Sequence, residues 1–302
     1  MQNLYSNGKL LLTGEYVVLD GAISLAVPTK FGQTLKVESI TEPCIYWKSI
    51  DENGNIWYEG QFKWHGKTLR QAQNDDISNR LLQILEAAKK LNLSFLNTGE
   101  GYNLSTVLDF PKNWGLGTSS TLINNIAQWA NIDAFMLLEE TFKGSGYDIA
   151  CAQNNTPITY QLDYKTPIVS QVSFKPSFEE HLYFIHLNKK QNSREGIAHY
   201  RAQDKTRIAE TIDTVNAITL KMITSDSLEQ FKSLMNQHEN IISKITNQKP
   251  VKEILFNDFE GSIKSLGAWG GDFVLVASKQ NPTNYFKKKG FETIVPYPHM
   301  VL

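Results

Sequence analysis

The segment from Phe110 to Ala130, FPKNWGLGTSSTLINNIAQWA, sets Gly115 and Gly117 directly before the hydroxyl side chains of Thr118, Ser119, Ser120 and Thr121. Upstream, YNLSTVLDF alternates in polarity as a strand does, and downstream STLINNIAQWA turns helical. A helix N-terminus leaves backbone N–H groups unpaired and carries partial positive charge, which suits a phosphate. Glycine lets the backbone approach an anion closely, and the hydroxyls can donate to phosphate or ligate magnesium. The same residues also suit a strand-to-helix turn with a hydroxyl N-cap, and the segment alone supports both readings. The glycine run carries no lysine and no third glycine, so it is neither a Walker A loop nor a dinucleotide-binding fingerprint.

Three further segments carry groups able to do chemistry. In KGSGYDIA, Lys143 to Ala150, two glycines around Ser145 force a tight turn, and Asp148 is its only acid. A carboxylate held there suits proton acceptance from a hydroxyl, or metal binding; it also suits a plain loop whose Asp caps the next segment. In LGAWGGDFVLVA, Leu266 to Ala277, Gly267, Gly270 and Gly271 precede an apolar strand with Asp272 at its mouth. That is either a second backbone wall over a phosphate or a tight loop entering a core strand. Lys9 stands just ahead of the apolar run LLLTGEYVVL, as a cation aimed into a cleft or as an edge lysine near a terminus.

The elements that must position these groups follow from the bulk sequence. With 302 residues, 41% hydrophobic and 20% charged, the chain suffices for one large or two modest domains with a real core. A net charge of −1 gives no field favouring nucleic acid or an anionic membrane. Cys44 and Cys151 lie far apart, which suits a reducing compartment, and the N-terminus lacks a signal-peptide pattern. No apolar run is long enough to span a bilayer, so a cytoplasmic chain with no membrane or nucleic-acid partner is expected. The six histidines include no H-E-x-x-H, and His181 and His186 would face opposite sides of the strand HLYFIHL, so a catalytic zinc is not expected.

Extended segments dominate the first hundred residues, with a hairpin at Asn53-Gly54 between CIYWKSID and IWYEGQFKW. Helices are expected in DDISNRLLQILEAAKKLN, with Ile77, Leu81, Leu85 and Ala88 on one stripe, in STLINNIAQWA and in IDAFMLLEETFK. The second half reads as strands at SQVSFKP and HLYFIHL, a long helical run from about Arg194 to Ile245, then GAWGGDFVLVAS, the helix NPTNYFKKKG and the strand FETIVPY. The order is mixed, an α+β class and not a doubly wound parallel sheet, with domains over 1–160 and 161–302.

Taken together and in this order, the four segments resemble the GHMP kinase superfamily, in its mevalonate kinase and phosphomevalonate kinase branch. KLLLTGEYVVLDGA looks like its opening motif, and PKNWGLGTSST is similar to P-x-x-x-G-L-G-S-S-A. GSGYDIA matches the Gly-Ser-Gly-x-Asp turn, and GAWGGD resembles Gly-Ala-Gly-Gly-Gly-Asp with Trp269 in place of a glycine. The resemblance implies a ribosomal S5-like N-terminal domain and a ferredoxin-like C-terminal domain. It further implies a phosphotransferase that uses ATP and Mg²⁺ on a small-molecule substrate, as a monomer or homodimer.

On this resemblance Asp148 takes the acceptor's proton and Lys9 stabilises the developing charge. Gly115, Leu116, Gly117, Thr118, Ser119 and Ser120 bind ATP, and Ser119 with Glu139 or Glu140 holds the metal. Glu15, Gly146, Lys190, Ser193, Arg194, Gly267, Gly270 and Asp272 line the acceptor side, and Trp269 is expected to narrow the phosphate loop or reshape that side. The acceptor implied is mevalonate or 5-phosphomevalonate. The related alternatives are a diphosphomevalonate decarboxylase-like enzyme and a non-catalytic nucleotide-binding protein.

Overall fold

Strand β1 (Gln2–Leu11) opens the chain, followed by β2 (Ser24–Ile40), β3 (Cys44–Ile50), β4 (Ile56–His65) and β5 (Thr68–Gln71). Gly54, with φ +84°, turns β3 back into β4 as the Asn53-Gly54 pair predicts. Next come helix α1 (Asp76–Leu91), strand β6 (Gly101–Leu108) and helices α2 (Thr118–Ala130), α3 (Ala134–Thr141) and α4 (Tyr147–Gln153). The structure, a computed structural model, describes every residue except Lys67, Asn74 and Thr98. Two compact units emerge. One comprises Met1–Gly8, Phe31–Lys112 and Leu116–Gln153; the other comprises Lys9–Lys30, Asn113–Gly115 and Asn154–Leu302.

In the first unit the strands lie in the order β5-β4-β3-β6-β2. β6 runs parallel to β3 and antiparallel to β2, from Gln33 opposite Leu108 to Ile40 opposite Gly101. The alternation in YNLSTVL fixes which side is buried: Leu104, Thr106 and Leu108 face the core, and Asn103 faces solvent. Leu35, Val37, Trp47, Phe62 and Leu104 from the strands meet Leu81, Ile84, Leu85, Ile123 and Ile126 from the helices in one core. Helix α1 begins at Asp75, whose carboxylate accepts from the N–H groups of Ile77 and Ser78, each at 2.9 Å. Its buried stripe is Leu81, Ile84, Leu85 and Ala88; Ile77, expected there, is 40% exposed because it lies in the first turn beside the cap.

The second unit takes in residues 9–30, of which Ser24–Ala26 of β2 pair with β7 (Ile158–Asp163), and β7 turns back into β8 (Thr166–Gln171). Strand β9 (Leu182–His186) leads to α5 (Ser193–Arg201), α6 (Ile208–Ile223), α7 (Leu228–Thr246) and α8 (Val251–Leu255). The long helical run expected here is thus broken into separate helices, and residues 172–176 of the expected strand SQVSFKP are irregular. Strands β10 (Ser262–Ser265) and β11 (Phe273–Ala277), helix α9 (Thr283–Lys288), strand β12 (Ile294–Pro296) and α10 (Tyr297–Met300) complete the chain.

The order β10-β11-β9-β12, antiparallel throughout, is the ferredoxin-like split β-α-β arrangement. Every residue of β9 and β11 is buried, which explains why HLYFIHL and FVLVA read as continuous apolar runs without alternation. Among the described residues no helix is long and apolar enough to cross a membrane, and both cysteines are buried and unbridged.

The stripe assignment of α1 is checked by urea unfolding. Ile84→Ala, at a side chain with no exposure, is expected to cost about 2–5 kcal/mol, whereas Ile77→Ala should cost less than about 0.5 kcal/mol.

Candidate active site

Gly117 caps α2 with a left-handed backbone (φ 96°, ψ 41°), and no side chain accepts from the first-turn N–H groups. The hydroxyl-capped turn that the sequence allows is therefore not formed. The N–H groups of Thr118, Ser119 and Ser120 have no acceptor within an α-helix, an arrangement that suits an anion. The hydroxyls divide into two sets. Ser120 Oγ donates to Gly117 O at 2.9 Å, and Thr121 Oγ1 donates to Gly117 O and to Gln33 Oε1 at 3.0 Å, so both serve the turn itself. Thr118 and Ser119 instead line a cleft of about 600 Å³ that also takes in Trp57, Arg80 and Phe142. Leu116 is fully buried, which leaves only its backbone for a ligand, and Ser120, 2% exposed, contributes its N–H and not its hydroxyl.

A buried polar seam fixes the direction in which this helix points. Asn125 Nδ2 donates to Gln33 O at 2.9 Å, Ser6 Oγ donates to Asn125 Oδ1 at 2.7 Å, and Asn124 Nδ2 donates to Ser6 Oγ at 2.8 Å. Gln153 Nε2 then donates to Asn124 Oδ1 at 3.0 Å, tying α4 to α2. Helix α4 carries Asp148 in its first turn, half-buried, behind a backbone that turns left-handed at Lys143, Gly144 and Gly146. The acid and the glycine-capped turn are thus pinned through neighbouring helices of one unit. Sequence reading missed Ser6, Gln33, Asn124, Asn125 and Gln153; the signal was two asparagines interrupting the apolar face of STLINNIAQWA.

The metal carboxylate expected at Glu139 or Glu140 is not presented. Both are exposed on α3, and Glu140 Oε2 accepts from Lys90 Nζ at 2.8 Å. Among the described residues no three His, Cys, Asp or Glu side chains are grouped to hold a metal ion. Ser119 alone of that set lines the cleft.

In the second unit Lys9 Nζ donates to Gly115 O at 2.8 Å, at the start of the glycine run. His186, which sequence reading set aside, holds the same segment: its Nδ1 accepts from Asn188 N at 3.3 Å, so its Nε2 carries the proton and donates to Asn113 O at 3.0 Å. Trp114 packs edge-on against Phe273, with ring centroids 5.4 Å apart. Asp272 lies beside Gly115, and its Oδ1 accepts from Gln191 N at 3.2 Å. Burial raises the carboxyl pKa of Asp272, opposed by Lys9, the Gln191 N–H, Lys190 and His186 in that order. Gly267 (φ 61°) and Gly270 (φ 91°) shape the loop before β11. Lys190, Ser193 and Arg194 are exposed around the start of α5, which Asn192 caps by accepting from Arg194 N at 3.1 Å.

Glu15 does not face a ligand. Its side chain is fully buried and paired with Lys264, itself fully buried. His238 Nε2 accepts from Gly14 N at 2.8 Å, and burial, then the Lys264 charge, holds His238 neutral. Glu239 beside them accepts from Ser265 N at 3.0 Å and from Ser265 Oγ at 2.7 Å, and burial pushes its carboxyl up to about 7. Trp269 does not narrow the phosphate loop with its ring: at 2% exposure it packs among Tyr16, Val17, Ala22, Tyr200, Val215 and Ile242. Tyr16, at φ 64°, accepts from Trp269 N at 3.1 Å through its hydroxyl and stacks on Tyr200 with centroids 5.5 Å apart. A Cβ on Gly196 would stand 2.7 Å from the Tyr16 hydroxyl.

No family model and no curated protein matches the chain. Solved structures do: 148 chains match. A Lin0012 protein from Listeria innocua is 16% identical with a TM-score of 0.74, over 97% of this chain and 96% of that one. The Streptococcus pneumoniae phosphomevalonate kinase in complex with phosphomevalonate and AMPPNP is 12% identical with a TM-score of 0.70, over 97% and 99%. The Methanococcus jannaschii mevalonate kinase is 16% identical with a TM-score of 0.67, over 96% and 94%. The chain has the GHMP kinase fold. In the first unit of this GHMP kinase fold the hydroxyl turn opens α2 and the acid turn opens α4; in the second, the third glycine segment precedes β11.

Two outcomes test the buried charges. Lys264→Ala leaves the Glu15 carboxylate uncompensated and is expected to destabilise by about 3–5 kcal/mol in chemical denaturation. Glu239 has its folded-state pKa raised from near 4.5 to about 7, so its contribution to stability is full below the lower value and is lost as pH rises to the upper one. Glu239→Gln should therefore gain stability relative to the parent chain across that window, read as a widening difference in Tm.

Proposed function

We propose that the chain is an ATP-dependent kinase that transfers the γ-phosphoryl group to mevalonate or 5-phosphomevalonate. The observation that carries this reading is the start of α2. It has a glycine cap, no side chain spent on its first N–H groups, and a cleft of about 600 Å³ reached by Thr118 and Ser119. A polyphosphate fits such a terminus, and a nucleoside fits a cleft of that size lined by Trp57 and Phe142. The fold supports the reading, since its neighbours include a mevalonate kinase and a phosphomevalonate kinase whose complex holds AMPPNP. The cations Lys190 and Arg194 favour an anionic acceptor over a neutral sugar, and the turn GSGYD resembles that of the phosphomevalonate kinase branch.

Phosphoryl transfer needs positioning and charge neutralisation more than covalent chemistry. Asp148 takes the proton from the acceptor's attacking oxygen, and Lys9, steadied by Gly115 O, neutralises charge developing on the transferred group. Ser119 would hold Mg²⁺, which supplies further neutralisation of the phosphates when bound.

The test is ADP release from purified protein with Mg·ATP against mevalonate, 5-phosphomevalonate, homoserine, galactose and a blank. Turnover confined to one isoprenoid acceptor is expected, falling about a thousandfold in Asp148→Asn with an unchanged Tm. Absence of acceptor-dependent turnover, or a fully active Asp148→Asn, would overturn the proposal.

A further inference from the structure

At the start of the proposed phosphate loop, a carboxylate occupies the place of a missing side chain. A Cβ on Gly115 would lie 2.5 Å from Asp272 Oδ2 and 2.8 Å from Oδ1, so any other residue here collides with that acid. Asp272 is held from several directions. Its N–H donates to Lys189 O at 2.7 Å, its carbonyl accepts from Leu187 N at 2.8 Å, and its Oδ1 accepts from Gln191 N at 3.2 Å. Its own backbone is left-handed, at φ 52°, and the residue before it is walled in: a Cβ on Gly271 would stand 2.8 Å from Lys189 O. The carbonyl of Gly115, above the carboxylate, is the acceptor for Lys9 Nζ at 2.8 Å. Gly117, the cap of α2, follows two residues on, within about 7 Å along the chain.

A fixed negative charge against Gly115 opposes the binding of polyphosphate to the loop that Gly115 opens. A task must offset that cost, and the contacts supply one. With the carboxylate in the notch, Gly115 cannot sink and Lys9 keeps a partial counter-charge before any ligand arrives. Lys9 is then kept from binding ground-state phosphates at full strength, and its charge is left for the transition state, where binding energy accelerates transfer.

We propose that Asp272 is a positioning residue for the phosphate loop: its carboxylate fills the side-chain place of Gly115 and balances the Lys9 ammonium, holding both in place while lowering affinity for polyphosphate. The inference rests on the kinase reading above and adds to it a role for an acid otherwise assigned to the acceptor side.

Asp272→Asn keeps the shape and the Oδ1 acceptor for Gln191 N while removing the charge. Calorimetric titration with Mg·AMPPNP is expected to show roughly three- to tenfold tighter binding than the parent chain, while turnover falls at least about tenfold. A merely structural residue would not tighten the complex while slowing the reaction. Unchanged or weaker AMPPNP binding in Asp272→Asn, or unchanged turnover, overturns the inference while leaving the kinase reading intact. No AMPPNP binding by the parent chain overturns both. A ligand-free double-mutant cycle tests the notch itself: Gly115→Ala should lower Tm less in an Asp272→Gly background than in the parent chain, the remaining loss being that of an alanine at φ +68°. A Gly115→Ala chain that melts like the parent also overturns the inference.

Discussion

The first unit depends on a polar chain that is buried at Ser6, Gln33, Asn124 and Asn125 and reaches the surface at Gln153. Ser6, Gln33, Asn124, Asn125 and Gln153 form one chain of hydrogen bonds through an otherwise apolar core, and each link constrains a different element. An apolar interface tolerates small rotations of a helix, because area burial has no direction. A hydrogen bond with both ends buried does not, since a broken link leaves a desolvated donor or acceptor. Helix α2 is therefore fixed in azimuth, and with it the direction of the N–H groups at its start. The same chain reaches α4 and the turn that holds Asp148.

The second unit solves a similar problem with charge. Glu15 and Lys264 lie outside water altogether, and the neutral His238 and the Ser265-bound Glu239 complete their surroundings. Such a pair adds little stability over an apolar one but punishes any arrangement that separates its members. Glu15, expected on the acceptor side, thus belongs to the core. In the same unit, Lys9, His186 and Asp272 converge on the short segment Asn113–Gly115, so the opening of the glycine run is set by groups from β1, β9 and the residue before β11.

Much of this was legible in the sequence. The alternation in YNLSTVLDF, the Asn53-Gly54 turn and the apolar runs of β9 and β11 each dictate one element by local rules. The ordered glycine segments pointed to the fold that the solved structures bear out. What stayed hidden depends on long-range partners. Ser120 and Thr121 share the residue type of Thr118 and Ser119, yet bond back to their own turn, because helix geometry puts Gly117 O within their reach. Glu140 is claimed by Lys90, fifty positions earlier in the chain, and Trp269 by a cluster drawn from residues 16–22 and helices α5, α6 and α7 of the second unit. Nor does spacing reveal that Gly115 makes room for a side chain of its own protein, since a glycine that admits a ligand and one that admits an aspartate are identical on the page.

Tyr16 combines two demands that rarely meet. Its backbone sits at φ 64°, where glycine is at ease, while its ring must fill the space against Tyr200 and its hydroxyl must receive the Trp269 N–H. Glycine would relax the backbone and empty the cluster; phenylalanine would keep the packing and strand the N–H; and with ψ at −48°, outside the left-handed helical region, no other side chain suits the torsion. Every single-step replacement gives up one requirement to meet the other. The position is an evolutionary dead end in the literal sense: the opening motif can drift on either side of it, but it can change here only if Trp269, Tyr200 and Gly196 change with it.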